Sequence, residues 1–505
     1  MNHLHERAMR GVPPLPLRER LVIILATVCL VWTTWALGGV KFWAQVGSVV
    51  LSLACLLVAA WPSRQNGWAN LRSLMRLVPF WLGLFVLVYM VVQVLNPAWV
   101  FERDSSGKIL ALRQDYIRWL PSGVRTPLRM MNPLLMVMVL APGWMLACSI
   151  WTALRRPKSM RMMMWAMTLN ASLFSVVGML ESITHTRKIL WLFEPTIRSG
   201  MFWGTIANEN HASAFMNLGL GAALALLVYY TGKGARGREF SKGGSYLMLI
   251  PLSIIILGGV IQAMSRAGIL VAGLICLAFL AVVIARLVRA LLVSGNRIVA
   301  IVTGTVVILI VWATASSIRG SIDIKRFIRE MKSLSIVAES PLEDVRYYIN
   351  MASMDLFEMK PVYGWGGGCY RYFIGITQKN YPYLMQWHNK RNIVFAHNDY
   401  MNYLCDLGVV GSVPLGLFVF GPVVFVILFR RNGVDSHIMM GLACIGAIML
   451  HVAVEFFMQH PLIVMQLCIL LACLTRTASL RHFMSVGSPS PLPDKVRRAA
   501  LSVES

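Results

Sequence analysis

Long uncharged apolar runs alternate along the chain with shorter polar connections, many of them basic. At about 1.5 Å of helical rise per residue, a run of about 20 residues crosses a hydrocarbon layer about 30 Å thick. Twelve runs of 16 to 23 residues are read as such spans, at residues 21–39, 46–62, 78–95, 131–151, 162–181, 210–230, 244–263, 267–285, 298–316, 407–429, 437–454 and 460–475. The pattern predicts an all-α fold, a polytopic membrane helix bundle of about 12 transmembrane helices.

The connections are unequal. Those at 96–130 and 182–209 are of moderate length, whereas 317–406 is long enough for a small helical subdomain, so function should concentrate there. In "EDVRYYINMASMDLFEM", Val345, Ile349, Ala352 and Leu356 recur at helical spacing, and "KPVYGWGGG" then stops the helix with Pro and Gly. In "FAHNDYMNYLCDLGVVG", Asn398 and Asp399 mark a helix start, and Tyr400, Tyr403, Leu404 and Leu407 form one face leading into the tenth span. No repeat of fixed period is visible. The chain divides into a short N-terminal segment at 1–20, a membrane domain at 21–475 that includes the 317–406 loop, and a Ser/Pro-rich basic tail at 476–505 that reads as disordered.

Composition agrees with the pattern. Hydrophobic residues make up 57% of the 505 positions and charged residues 14%, more apolar surface than one soluble core would use. The net charge of +25 raises the question of nucleic acid, but the basic residues are scattered between apolar spans and form no binding motif, so nucleic acid is not an expected partner. The charge orients the chain instead. Arg64, Arg72 and Arg76, then Arg155, Arg156, Lys158 and Arg161, then Lys233, Arg236, Arg238 and Lys242 flank alternate connections, which predicts a cytoplasmic side for them and for both termini. The first span follows Arg7, Arg10, Arg18 and Arg20 without a small-residue cleavage site, and reads as a retained anchor. Most of the nine cysteines fall inside spans as small apolar residues; Cys369 and Cys405, in and beside the large loop, leave a disulfide open.

Mid-span charge, the mark of an ion or proton route, is almost absent. Polar candidates gather at span ends: His211, Arg266, and His451 with Glu455. Arg266 sits in the short turn of "AMSRAGIL", either as a snorkelling anchor or as a fork for phosphate oxygens. Arg346 either pairs locally with Glu343 and Asp344 or complements a diphosphate. The glycines of "GWGGG" reach an anion only weakly as a motif, without strand or helix context, and otherwise read as a hinge. His397 either caps the helix that follows or transfers a proton near neutral pH. His451 and Glu455 stand four apart, as a simple pair or as supports to a site. No His, Cys, Asp and Glu set has a metal-ligand spacing, and no cofactor motif is present.

The ordered segments "SGMFWGTIANENHASAF", "AMSRAGIL", "DVRYYINMASMDLFEMKPVYGWGGGCYRYF" and "FAHNDYMNYLCDLGVVG" resemble the bacterial O-antigen ligase and polysaccharide polymerase superfamily over roughly residues 195–465. "LHVAVEFFMQHP" is similar to the last motif of exopolysaccharide polymerases. The resemblance implies a metal-independent, inverting glycosyltransferase of the bacterial inner membrane, its site facing the periplasm. The implied partners are an undecaprenyl-diphosphate-linked glycan donor, a glycan or lipid A-core acceptor, and membrane lipids. It implies that His397 activates the acceptor hydroxyl, that Arg266 and Arg346 hold the diphosphate, and that Asn208, Asn210 and His211 line the cavity. Asp399, His451 and Glu455 are expected to support them, with Glu455 standing where an aspartate is frequent. Polymerisation is favoured over ligation. A lipid-linked glycan transporter or flippase is the alternative, and a membrane scaffold a third reading. The stretch "LMQWHNKRNIV" before His397 matches nothing in the pattern.

Overall fold

The computed structural model describes residues 15–62, 67–103, 109–127, 130–194, 202–232, 245–294, 304–305, 345–388, 393–429 and 434–486. The expected span at 298–316 apart from residues 304–305, the loop part 317–344 with Glu343 and Asp344, the basic residues Arg64, Lys233, Arg236, Arg238 and Lys242, and the end of the tail lie outside the described residues.

Among the described residues the fold is all-α apart from one small sheet. Its long helices are α1 (Leu17–Trp35), α2 (Phe42–Ala60), the short α3 (Ala69–Met75), α4 (Val78–Leu95), α5 (Pro133–Ala153), α6 (Pro157–Ile183), α7 (Glu209–Tyr230), α8 (Leu249–Gln262) and α9 (Arg266–Ser294). After the large loop come α10 (Val345–Met359), α11 (Tyr370–Gln378), α12 (Pro382–His388), α13 (Asp399–Phe429), α14 (Ser436–Val452) and α15 (Pro461–Val486). Among the described residues, eight helices are long and apolar enough to cross a membrane, and two shorter apolar helices, Tyr246–Gln262 and Ser436–Val452, accompany them. Each of the other eleven expected spans falls on a helix. The chain is a multi-pass membrane protein.

The bundle is organised by how completely each helix is covered. The apolar windows of α5, α7 and α15 are mostly buried, which places them at the centre, whereas α13 is as apolar but only 17% buried, so its outward surface faces lipid. Basic residues gather at one end of the bundle. There Arg18 donates to Trp61 O (2.8 Å), Arg155 to Asn70 Oδ1 (3.0 Å) and Arg476 to Leu154 O (2.9 Å), and the buried Glu19 carboxylate accepts from Ser159.

At the other end stands a subdomain with its own core. Ile349, Ala352 and Leu356 are buried, as the helical spacing predicts, and they pack with Trp365, Phe373, Ile374 and Ala396. The 96–130 connection adds a sheet that the sequence reading does not foresee. Strand β1 (Pro97–Arg103) pairs antiparallel with β2 (Ile109–Arg113) and parallel with β3 (Gly123–Arg125). Trp99 and Phe101 turn onto the same core, with Phe101 4.8 Å from the Tyr372 ring. Two connections expected on one side of the membrane therefore meet in one body.

The "GWGGG" turn is a latch and neither a phosphate loop nor a hinge. Gly366 N donates to Asp406 O (2.8 Å), Gly367 N to Gln93 Oε1 (2.9 Å), Gly368 N to Asp406 Oδ2 (3.0 Å) and Tyr370 N to Asp406 Oδ1 (2.7 Å), so these amides are spent within the protein. Gly364 has φ +68°, and a Cβ there would lie 2.5 Å from Asp406 O, so glycine is required by both conformation and space. On the facing side the Tyr89 hydroxyl lies 2.7 Å from Tyr363 O and fixes α4 to the same turn. Cys369 and Cys405 are both buried free thiols; Cys405 Sγ donates to Ser353 O (3.2 Å) instead of bridging.

Candidate functional site

Four segments converge at the subdomain end of the bundle. The first is the start of α7. Asn208 is its N-cap, with extended backbone and a side-chain oxygen accepting from Asn210 N (2.8 Å), which sets Asn210 and His211 in the first turn. The second is the turn between α8 and α9, where buried Ser265 donates to Asn210 Oδ1 (2.6 Å) and accepts from Gly268 N (3.0 Å). Gly268 lets α9 approach α7 closely, since a Cβ there would meet Ser213 Oγ, and Asn217 donates to Gly268 O (2.9 Å). Arg266 follows Ser265 and opens α9, half-buried and one residue from this network.

The third segment is α10, carrying Arg346, and the fourth is the chain entering α13. Asn398 caps α13 by accepting from Tyr400 N (3.1 Å), and its amide donates to Asn350 Oδ1 (3.1 Å), while Asn350 donates to Arg346 O (2.9 Å). His397 is thereby tied to Arg346 through two asparagines. Its backbone is left-handed (φ 51°), a conformation that costs a non-glycine residue about 1–3 kcal/mol and recurs at functional sites.

Glu455 joins three of the four segments directly and reaches the α8–α9 turn through Asn210. It lies in the link between α14 and α15 and is 1% exposed. Its Oε1 accepts from Arg346 Nη2 (2.6 Å) and from Asn210 Nδ2 (2.9 Å), and its Oε2 is 3.8 Å from His397 Nδ1. Burial alone would raise this carboxyl, but His397 and Arg346 beside it outweigh burial and hold it below its ordinary value. A buried carboxylate is thus kept ionised between a guanidinium and an imidazole.

Phe456, next in the chain, divides the histidines. Its ring is 4.7 Å from His397 on one side and 5.0 Å from His211, and it stacks on Phe395 at 4.4 Å, over which the Arg371 guanidinium sits at 4.9 Å. His211 therefore stands behind Phe456, 5.5 Å from the buried ring of His460.

Two expectations change. His451 and Glu455 do not share a helical face, because α14 ends at Val452 and Glu455 turns away to Arg346; the His451 ring packs 4.7 Å from Phe457 instead. Arg346 takes Glu455, 109 positions away, rather than resting on a local pair alone. Asp399 is buried and acts as a tie: its Oδ2 accepts from Met458 N (2.7 Å) and holds the 453–460 link against α13. Ser265, Asn350, Phe456 and Asp406 escaped the sequence reading, since each is a common residue type whose partners lie far away in sequence. Among the described residues no three His, Cys, Asp or Glu side chains are grouped to hold a metal ion.

Fold and site together define a multi-pass membrane protein with a polar, charged centre at one end of its bundle. Residues 251–416, from α8 into α13, match the family model described as O-antigen ligase, and Arg266, Arg346, His397 and Asp399 lie inside the matched stretch. No curated protein matches the chain. The family indicates a glycosyl-transfer type of enzyme, acting on a lipid-linked glycan and an acceptor.

Proposed function

We propose that the protein is an inverting, metal-independent glycosyltransferase of the bacterial inner membrane. It transfers or polymerises an undecaprenyl-diphosphate-linked glycan at the periplasmic face, with polymerisation the preferred reading. The observation that carries this is the convergence of Arg346 and His397 on the one buried carboxylate of Glu455.

In this reading Glu455 faces His397 Nδ1 and leaves Nε2 to the acceptor hydroxyl. Nε2 takes the hydroxyl proton as the acceptor oxygen bonds to the anomeric carbon, and the bond from that carbon to the diphosphate breaks on the opposite face, inverting the configuration. The imidazolium that forms is stabilised by Glu455. Charge developing on the departing diphosphate is met by Arg346, whose fork is oriented by Glu455, and by Arg266. Asn208 and Asn210 fix the helix end beneath them, and His211, His451 and Asp399 support the surrounding link.

The test is turnover of a lipid-linked donor by the purified protein with excess chelator and neither ATP nor an ion gradient. The expected product is a longer lipid-linked glycan with an inverted linkage. Dependence on added Mg²⁺ or Mn²⁺, or a retained linkage, contradicts the mechanism. Movement of intact donor across vesicles without transfer supports the transporter instead.

A further inference from the structure

One cation beside the site, Arg371, takes no part in the transfer set out above. It stands in the first turn of α11, where Tyr370, Phe373 and Ile374 turn into the subdomain core and leave Arg371 half-buried at the wall. Its guanidinium lies 4.9 Å from the Phe395 ring, and Phe395 stacks on Phe456 at 4.4 Å with 14° between the ring planes. Phe456 fills one face of Phe395, so the guanidinium covers the other. The Phe456 ring in turn is 4.7 Å from His397. Two half-buried aromatic rings thus join Arg371 to His397.

The Arg371 guanidinium has no hydrogen-bond acceptor among the described residues. The carboxylate whose charge it feels, Asp406, is already engaged by Gly368 N, Tyr370 N and Asn402 Nδ2. The neighbouring Tyr372 hydroxyl donates to Met131 O (2.6 Å). Burial pulls Arg371 below its ordinary value, but a guanidinium keeps its charge in proteins and presents its donors in one plane. A ring face offsets part of the lost hydration of that cation and satisfies none of its donors. A group with paired anionic oxygens satisfies them.

We infer that Arg371 recognises an acidic substituent, a carboxylate or a phosphate monoester, on a sugar of the glycan substrate, which makes the protein selective for an acidic glycan. The inference rests on the glycosyl-transfer reading above and names the substrate class for it. Position separates this anion from the diphosphate. In that reading the diphosphate departs beside Arg346 and His397, whereas Arg371 is reached from His397 by three steps of 4.7, 4.4 and 4.9 Å, each comparable to the length of one sugar ring. The acidic sugar therefore lies within three rings of the reacting end.

The test uses the purified full chain and its Arg371→Gln and Arg371→Lys variants in nanodiscs of zwitterionic phospholipid. The probe is the lipid-linked glycan of the producing cell, supplied untreated, with its carboxylates reduced to alcohols, or treated with a phosphomonoesterase. One of the two treatments should lower the wild-type kcat/KM about tenfold or more. Arg371→Gln should lower kcat/KM for the untreated glycan by a similar factor and should not distinguish it from the treated one, while Arg371→Lys, with the charge and without the fork, should keep part of the preference. A merely structural arginine would move all three glycans alike. The inference is overturned by a native glycan without an acidic sugar, by a wild type indifferent to both treatments, or by wild-type preference in both variants. It is equally overturned if the rate follows anionic phospholipid in the nanodisc and not the acid group of the glycan. Failure of the wild type to transfer the untreated glycan overturns the glycosyl-transfer reading, and this inference with it.

Discussion

Arg346 Nη2 and Glu455 Oε1 meet at 2.6 Å across 109 positions of sequence, with Glu455 buried and Arg346 partly open to the site. The contact fixes the guanidinium while the other carboxylate oxygen addresses His397. Glu455→Gln keeps the shape and removes the charge. Transfer should fall about tenfold or more with KM little changed, because the loss is at the developing imidazolium. Wild-type kcat in purified Glu455→Gln would contradict that role.

Glu455 also predicts a pH dependence of stability. Its carboxyl is held below the ordinary 4.5 in the folded state, so its contribution is present above that value and is lost as pH falls through the depressed folded value. Acidification from about pH 5 to about pH 3 should therefore lower the Tm of the wild type more than that of Glu455→Gln. Parallel losses in detergent melting curves would remove the link between this carboxylate and the fold.

The arginines are tested by lysine. A headgroup anchor works as well with either side chain, whereas a fork gripping two phosphate oxygens does not survive replacement by a single ammonium. Arg266→Lys and Arg346→Lys should each cost about tenfold or more in kcat/KM, about 1.4 kcal/mol, at normal expression. Unchanged kinetics in both would return these residues to structural duty.

Asp406 predicts a purely structural effect. Its carboxylate accepts from Gly368 N, Tyr370 N and Asn402 Nδ2, and an amide in its place turns a donor toward donors. Asp406→Asn should destabilise the protein by about 1–3 kcal/mol, read by denaturant melting. A neutral result would show that the glycine turn holds itself.

These residues also show how far the sequence was legible. The spans were readable because apolar length is a strong, local signal, and the face Ile349, Ala352, Leu356 because helical spacing is regular. The sheet was not, since strands as short as Gly123–Arg125 carry too few positions to show alternation. Arg266, Arg346 and His397 were legible through motifs. The convergence of Arg346 and His397 on Glu455 was not, because nothing local in "LHVAVEFFMQHP" says that the helix stops at Val452 and turns its carboxylate toward α10. Asp406 carries no local signal of its role, and only the fold brings three donors to it.

The central claim is that His397 is the base that activates the acceptor. Its measurement is the rate of glycan transfer by purified His397→Ala, alongside its melting curve and that of the wild type. A loss of about 100-fold or more is expected, with a cooperative melting transition retained in the variant. Near-full product formation by the alanine variant would contradict it.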